Sequence, residues 1–217
     1  MSVNIRFNLS EEDVNNVIKA MRNVTGKSAE QVFKKAVNET AKYAMRELSR
    51  QAESVYATKG VYERAVIKQA TVSNLGAEVD FGNQQRVPSI LKFRARPKAT
   101  PTKFLKTGVK VRKIGTGYRM LGKQKKYKVQ SSQWRAGGMT TYKSAFITTM
   151  KNGVGKKSHD GMYYRVGAGR GPLKEVLGST DRAMVRNEKV YPIVEPSIGE
   201  KLNEQVQSAL AKALGGR

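Results

Sequence analysis

The stretch that decides the fold is SAEQVFKKAVNETAKYAMRELSRQAESV, residues Ser28–Val55. It opens with a capping box, in which Ser28 and Gln31 can satisfy the free backbone N–H groups of a helix start. Apolar residues then recur every three or four positions along one helical face. They are Val32, Phe33, Ala36, Val37, Ala41, Ala44, Leu48, Ala52 and Val55. The pattern predicts a helix of roughly 30 residues and about 40 Å, whose Ala-rich face packs against the sheet.

Two shorter helices are expected nearer the ends of the chain. SEED at Ser10–Asp13 places a capping hydroxyl and early carboxylates at a helix start, so we expect a helix from about Glu11 to Val24. Towards the other end, VYPIVEPSIG leads into an amphipathic pattern that predicts a helix starting near Ser197 or Gly199. The glycines at 215–216 are a natural stop for it.

The residues between these helices have strand and turn patterns. VYERAVIK after Gly60 predicts a helical turn, and QATVSN with AEVDFG predicts a β-hairpin. Further strands, separated by Gly, Pro and Ser clusters, are predicted at VPSILKF, GVKVRKI, KYKVQ, SAFITTM and MYYRVG. The predicted fold class is α+β, with a long N-terminal helix and a C-terminal helix packed on a mostly antiparallel sheet. We expect one domain spanning 1–217, with a basic arm inserted at about 94–136.

The excess positive charge lies in the middle of the chain. The formal net charge is +24, and residues 81–159 carry 20 Lys or Arg without a single Asp or Glu. The flanking parts are nearly balanced. Because uncompensated like charges repel one another and disfavour compact packing, this part of the sequence predicts a partner of opposite charge.

The densest basic segment is KFRARPKATPTKFLKTGVKVRK, residues Lys92–Lys113. Pro97, Pro101 and the density of like charge oppose a self-contained fold, so Arg94–Lys106 is expected to be a mobile arm that becomes ordered against a partner. The residues predicted to contact a partner or DNA are Lys92, Arg94, Arg96, Lys98, Lys103, Lys106, Lys110, Arg112 and Lys113.

The sequence offers little for catalysis or for a cofactor. It has no cysteine, which excludes thiol nucleophiles and thiolate metal sites, and a single histidine, His159, cannot make a multi-histidine metal site. His159 stands beside Asp160, but adjacent residues in a Gly- and Lys-rich turn seldom converge on one substrate. NGVGKKS lacks the first glycine of a phosphate-binding loop, and neither it nor RVGAGRG clearly joins a strand to a helix. We predict a protein that is not an enzyme and uses no cofactor.

The sequence also bears on the compartment. No apolar stretch approaches the roughly 20 residues needed to span a bilayer, and the N-terminus lacks the basic-then-apolar order of a signal peptide. The absence of cysteine fits a reducing compartment. We expect a soluble intracellular product without a membrane partner.

Two classes of non-enzymatic protein remain. One is a nucleic-acid binder, in which Lys and Arg contact phosphates and interleaved aromatic residues offer stacking surfaces. These aromatic residues are Phe93, Phe104, Tyr118, Tyr127, Trp134 and Tyr142. The other is a structural subunit whose basic arm lies against acidic surfaces of neighbouring subunits. Composition favours neither strongly.

Several segments, in this order, resemble the minor tail protein Z family of long-tailed phages and prophages, a tail-completion family. They are FKKAVNETAKYAMRELSRQ, VYERAVIKQATVSN, VPSILKF with the basic linker after it, SAFITTMKNG, MYYRVG and YPIVEPSIG. The resemblance covers most of the chain from about residue 28 onward, and its motifs are structural rather than catalytic. The insertion from Arg94 to Ala136 is longer and more basic than is typical of the family.

The resemblance implies a virion protein at the head-proximal neck of the tail, made in the host bacterial cytoplasm. It implies a ring, expected to be hexameric, that completes the tail and makes it competent for head-tail joining. The expected neighbours are tail tube, tail terminator or head-connector proteins, and packaged DNA is a further candidate contact. Between these, we favour acidic protein neighbours for the basic arm, because complementary charge fixes register in such assemblies. The alternative function is an intracellular nucleic-acid-binding protein of ribosomal or chromosomal type.

Overall fold

The computed structural model describes residues 5–6, 29–82, 87–98, 111–114, 117–120, 129–142, 144–151, 158–167 and 172–213. Contacts group the chain into two compact units, Met1–Val87 with Ser179–Arg217, and Pro88–Gly178. The second unit is thus inserted in the sequence of the first, and the predicted basic arm falls within it. The helix expected from Glu11 to Val24 lies outside the described residues, and the single domain stays a prediction.

The first unit is built from helices and a small sheet. Its described helices are α1 (Ala29–Val55), α2 (Val61–Arg64), α3 (Asp181–Val185) and α4 (Tyr191–Ala213). Its described strands are β1 (Ile5–Arg6), β2 (Val66–Lys68) and β3 (Glu78–Asp80). The strands pair antiparallel in the order β1-β3-β2.

Helix α1 confirms the long helix predicted from the sequence. Its apolar face is buried, with Phe33, Val37, Ala44 and Leu48 each at most 3% exposed. The prediction that this face packs against the sheet is wrong in its main part: the helix packs mainly against α4 and makes smaller contacts with β2 and β3. Small alanine side chains suit this arrangement because they let a second helix approach closely. The buried faces of this helix pair form the core of the first unit.

Helix α4 begins earlier than the sequence pattern predicts. It starts at Tyr191, so Ser197 and Gly199 lie inside it, as does Pro196. The apolar residues Val190, Val194, Ile198 and Leu202 recur every four positions and are all buried. Pro192 stands in the first turn, where a proline loses no hydrogen bond. The burial of this apolar stripe extends the helix through both prolines.

The predicted hairpin exists, but its first strand is placed differently. β2 pairs with β3 from Val66 opposite Asp80 to Lys68 opposite Glu78, before the QATVSN segment. Within that segment Thr71 and Asn74 exchange backbone hydrogen bonds, and the Thr71 hydroxyl also accepts from the Asn74 N–H. Side chains that bond locally to backbone compete with a strand ladder, so these residues form a turn. The helical turn predicted at VYERAVIK is confirmed as α2.

The second unit contains a 3₁₀ helix, Ile90–Lys92, and short strands. The described strands are β4 (Arg94–Arg96), β5 (Val111–Ile114), β6 (Gly117–Met120), β7 (Val129–Ser132), β8 (Thr140–Tyr142), β9 (Ala145–Lys151), β10 (Ser158–Arg165) and β11 (Leu173–Glu175). They form sheets in the orders β4-β7-β8 and β11-β10-β9, and the hairpin β5-β6. Every described strand pair is antiparallel, and the α+β class is confirmed.

The strand predictions for this unit hold except at one segment. GVKVRKI, SAFITTM and MYYRVG contribute to β5, β9 and β10, and the end of KYKVQ opens β7. The strand predicted at VPSILKF is wrong. There the Ser89 hydroxyl accepts a hydrogen bond from the Leu91 N–H and caps the 3₁₀ helix. This turn buries Ile90 and Phe93, at 1% and 3% exposed, in the core of the unit.

Candidate basic interface

The sheet β4-β7-β8 carries a row of polar side chains. Its register places Arg96 opposite Gln130, and Gln130 opposite Thr141. Directly opposed residues lie on the same face of a sheet. The Gln130 Nε2 donates to the Thr141 Oγ1 at 2.9 Å, which links β7 to β8 through side chains. Arg94, two residues before Arg96, shares this face, and we call Arg94, Arg96, Gln130 and Thr141 the basic face.

The opposite face of the same sheet is buried. Ala95, Val129 and Ser131 are 3%, 0% and 1% exposed, whereas Arg96 and Thr141 are exposed. Side chains alternate along a strand, so a slip of one residue would bury the arginines and expose the apolar positions. Burial of one face therefore fixes the outward direction of the other.

Arg94 is held by the loop that follows β7. Its Nη1 donates to the backbone carbonyls of Arg135 at 3.4 Å and Gly137 at 3.2 Å. Gly137 has a φ of +97°, a conformation that glycine adopts without steric cost. The Ser132 hydroxyl, opposite Arg94 in the register, also bonds to the backbone of Trp134. The loop 133–138 is thereby fixed beside the basic face.

The loop exposes a tryptophan, and the other aromatic candidates are less accessible. Trp134 is 41% exposed, while Phe93 is 3% exposed and packs in the core. Tyr142 is half-buried in β8. Phe104 and Tyr127 lie outside the described residues, and Tyr118 is described only as part of β6. Trp134 is therefore the aromatic side chain best placed to meet a partner at the described part of this face.

The nine predicted contact residues divide into three groups. Lys92, Arg94, Arg96 and Lys98 fall within one short segment, and all but the half-buried Arg94 are exposed. Arg112 and Lys113 lie in β5, apart from that segment in sequence. Lys103, Lys106 and Lys110 lie outside the described residues. The expectation of a mobile arm starting at Arg94 is wrong for Arg94–Arg96, because β7 pairs with them as strand β4.

The basic face has no acidic side chain in its own part of the sequence. Residues 81–159 contain neither Asp nor Glu, and β4, β7 and β8 all fall in that range. The charge on Arg94 and Arg96, and on Lys98 just after β4, is therefore not offset by a carboxylate on this sheet. Such a surface attracts anions, and the attraction weakens as salt is added.

Reasoning from the sequence missed Gln130, Thr141 and the loop carbonyls that hold Arg94. Neither Gln130 nor Thr141 is charged, so a search for basic residues passes over them. The signal that could have found Gln130 is the alternation of Val129 with Ser131 around it. Its partner Thr141 depends on strand pairing, which one sequence does not display.

His159 does not pair with Asp160, its neighbour in sequence. Its Nε2 lies 3.1 Å from Oε2 of Glu175 and 2.9 Å from the Tyr163 hydroxyl, so it links β10 to β11. Asp160 instead accepts a hydrogen bond from the Thr149 hydroxyl on β9. Burial, and then the charge of Glu175, raises the pKa of Tyr163 above its ordinary value.

The described contacts of His159 differ from those of a catalytic triad. In a triad the nucleophile bonds one ring nitrogen of the histidine and the carboxylate bonds the other. Here Tyr163 and Glu175 both approach Nε2. Because both groups contact the same ring nitrogen, the ring cannot pass a proton from Tyr163 to Glu175 through its two nitrogens. The contacts instead connect β10 and β11 by hydrogen bonds.

The other described surfaces offer few groups for binding or catalysis. A cleft of about 400 Å³ runs along α1, and its charged lining residues are Lys34, Lys35, Glu39 and Lys42. Lys42 donates to Glu39 at 2.8 Å, which offsets part of that charge. Within the described ranges, no group of three or more His, Cys, Asp or Glu is placed to hold a metal ion. None of the described helices is long and apolar enough to cross a membrane.

No family model matches the sequence, and the comparisons with curated proteins and with solved structures found no match.

Proposed function

We propose that this protein is a structural component of a phage virion that completes the tail at its head-proximal end. In this proposal it forms a ring, hexameric by analogy with the family it resembles, and acts through its interfaces. It makes the tail competent to join the filled head. Neighbouring tail tube, tail terminator or head-connector proteins are its partners.

The observation that carries the proposal is the basic face on β4 and β7. Arg96 is exposed on this face and Arg94 is half-buried beside it, while Ala95, Val129 and Ser131 are buried on the other side. No carboxylate occurs in residues 81–159 to offset the two arginines. A ring would repeat this face once per subunit, so its charge would add up around the ring and favour an acidic or anionic neighbour.

The segments that carry the resemblance also support the proposal. FKKAVNETAKYAMRELSRQ lies within α1, and SAFITTM and MYYRVG belong largely to β9 and β10. These elements are the framework of the two units, so the resemblance concerns folded structure as well as composition. Structural proteins of assemblies act by presenting such rigid surfaces.

The test is removal of the gene from the phage or prophage that encodes it. We expect heads to fill and tails to form, but to remain separate, and wild-type protein supplied from a plasmid to restore joined particles. Cryo-electron microscopy of the joined particle should place the protein in the neck. A position away from the head-tail junction would refute the proposal.

A second candidate is an intracellular nucleic-acid-binding protein of ribosomal or chromosomal type. The exposure of Trp134 beside the basic face favours it, because proteins that bind single strands combine cationic and aromatic side chains. Fractionation of infected or induced cells distinguishes the two. Association with ribosomes or the nucleoid, and not with tails, would favour this second function.

A further inference from the structure

We propose that the basic face binds the phosphodiester backbone of a nucleic acid, with Trp134 at its edge available to stack on an unpaired base. This inference deepens the proposed function, on which it rests, by naming the partner of the basic face. The partner proposed here is a nucleic acid, in place of the acidic protein neighbours that the sequence favoured.

The two arginines of the basic face come from a single strand. Arg94 and Arg96 lie two residues apart on β4 and share one face. Two residues of a strand span about 6.6 to 6.8 Å. Each strand of duplex DNA carries one phosphate per about 3.4 Å of axis. The backbone spacing of Arg94 and Arg96 is thus small enough for both side chains to approach the phosphates of one strand.

The remaining side chains of the basic face are neutral and form hydrogen bonds. Gln130 and Thr141 extend the row of Arg96 with neutral hydrogen-bonding groups. Arg, Lys, Gln and Thr are all residue types that bond phosphate and sugar oxygens. A carboxylate would repel the backbone, and residues 81–159 contain none.

Trp134 lies in the loop beside the basic face. It is 41% exposed, and its backbone bonds to Ser132, which is opposite Arg94 in the sheet. The next residue, Arg135, supplies a carbonyl that accepts from Arg94. An exposed aromatic ring beside cationic side chains gives a base a stacking surface while the cations hold the backbone.

The experiment uses the full-length protein and labelled DNA. Fluorescence anisotropy is measured with an oligodeoxythymidine of about 20 nucleotides and with a duplex of similar length, at several salt concentrations. Trp134 is the only tryptophan in the chain, so its emission reports directly on this face. We expect salt-sensitive binding of both probes, and quenching of Trp134 by the single strand.

The key variant reverses two exposed charges, Arg96→Glu with Lys98→Glu. We expect at least about a tenfold loss of affinity, and a single-strand salt dependence of log K that is shallower by about 0.7 for each phosphate no longer neutralised. Lys174→Glu is the matched control, because Lys174 is exposed on β11 in the same unit. It should change affinity by less than about twofold, since it lies outside the basic face.

Three further variants guard against a loss of binding that comes from misfolding. Arg96→Gln removes one charge without reversing it and should weaken binding by a smaller factor. Trp134→Leu should weaken single-strand binding by about fivefold or more, while Trp134→Phe keeps a stacking ring and most of the affinity. Duplex affinity should stay unchanged in both tryptophan variants, which also shows that the face remains folded.

The outcomes separate this inference from the proposed function. The inference would be overturned if the Arg96→Glu, Lys98→Glu double variant lost no more than twice the binding free energy that Lys174→Glu loses. The double variant reverses two charges and the control reverses one, so binding would then follow net charge alone. If that double variant also failed to join tails to heads, the basic face would contact protein and the proposed function would stand. If DNA binding followed the expected pattern but the protein were absent from the neck, the proposed function would fall and the binding of nucleic acid would remain.

Discussion

Arg64 donates two hydrogen bonds to Asp181, which lies 117 residues further along the chain. The Arg64 Nε bonds Oδ2 at 2.5 Å and Nη2 bonds Oδ1 at 2.7 Å. The hydrogen bond to Asp181 raises the pKa of Arg64 above its usual value, although burial opposes this. Asp181 is the first residue of α3, so the pair fixes α3 against α2 in the first unit.

Replacement of Arg64 by methionine should destabilise the protein strongly. Asp181 is 9% exposed, and the variant would leave its carboxylate without this guanidinium. Removing one partner of a largely buried pair costs about 3 kcal/mol. Arg50→Met is the control, because Arg50 is 78% exposed beside Glu47 and such pairs contribute at most about 1 kcal/mol. Urea denaturation measures the free energy of unfolding of both variants. Equal losses would show that the Arg64–Asp181 pair stabilises the protein no more than the exposed Arg50–Glu47 pair.

A substitution at Leu48 tests whether the apolar face of α1 is the buried one. The leucine is 0% exposed, so Leu48→Asp would place a carboxylate in the core and should cost more than about 3 kcal/mol of the free energy of unfolding. Arg46→Asp makes a comparable change at an exposed position of the same helix and should cost far less. Circular dichroism during denaturation distinguishes them. Normal folding of Leu48→Asp would show that the assigned face is wrong.

Local patterns in the sequence are enough for the helices and most strands. Helix α1 is predictable because its period of three and four residues continues over 27 residues. The start of α4 is harder to predict, since Pro192 and Pro196 disfavour a helix while Val190, Val194 and Ile198 keep a helical period through them. Helix propensity is a weak guide to where a helix starts when burial of an apolar stripe favours a different start.

The candidate interface is predictable only in part. The charge of Arg94, Arg96 and Lys98 can be read from the sequence. The arrangement of these residues depends on the pairing of β4 with β7, about 35 residues away. The hydrogen bonds from Arg94 to the carbonyls of the loop 133–138 also join distant residues. Long-range pairing of this kind has no local signature, so the sequence does not show that Thr141 lies beside Gln130 and Arg96.

Gly178 is expected to tolerate no side chain. Its N–H donates to the Pro88 carbonyl at 2.8 Å, and a Cβ atom there would overlap the ring of the buried Phe93. Gly178→Ala should therefore cost about 1 to 3 kcal/mol through overpacking. Gly138→Ala is the matched control, because a Cβ at that position meets no atom within 4 Å.

A second substitution checks the cause of the Gly178 effect. Phe93→Leu removes ring atoms that the new methyl group would meet, so the double variant should lose less stability than the two single losses added together. Thermal denaturation of the four proteins gives this coupling. Additive losses would mean that the methyl group does not act through Phe93.

The protein should lose stability at alkaline pH through its buried tyrosines. Burial is the first cause that raises the pKa of Tyr163, and likewise that of Tyr56, above the ordinary value of 10.0. A folded-state pKa raised above that of the unfolded chain means that the unfolded chain loses its proton first. The stabilisation is therefore fully present below about pH 10 and is lost as the pH rises through the raised pKa.

Tyr163→Phe should make this alkaline loss less steep. At neutral pH the variant loses the hydrogen bond between the Tyr163 hydroxyl and His159, at a cost of about 1 kcal/mol. Above pH 10 the gap to the wild type should narrow, because the phenylalanine has no proton to lose. Tyr56→Phe should flatten the profile independently, since Tyr56 belongs to the other compact unit. The measurement is the free energy of unfolding in urea from about pH 7 to 11, and a wild-type slope in both variants would refute the assignment to these phenols.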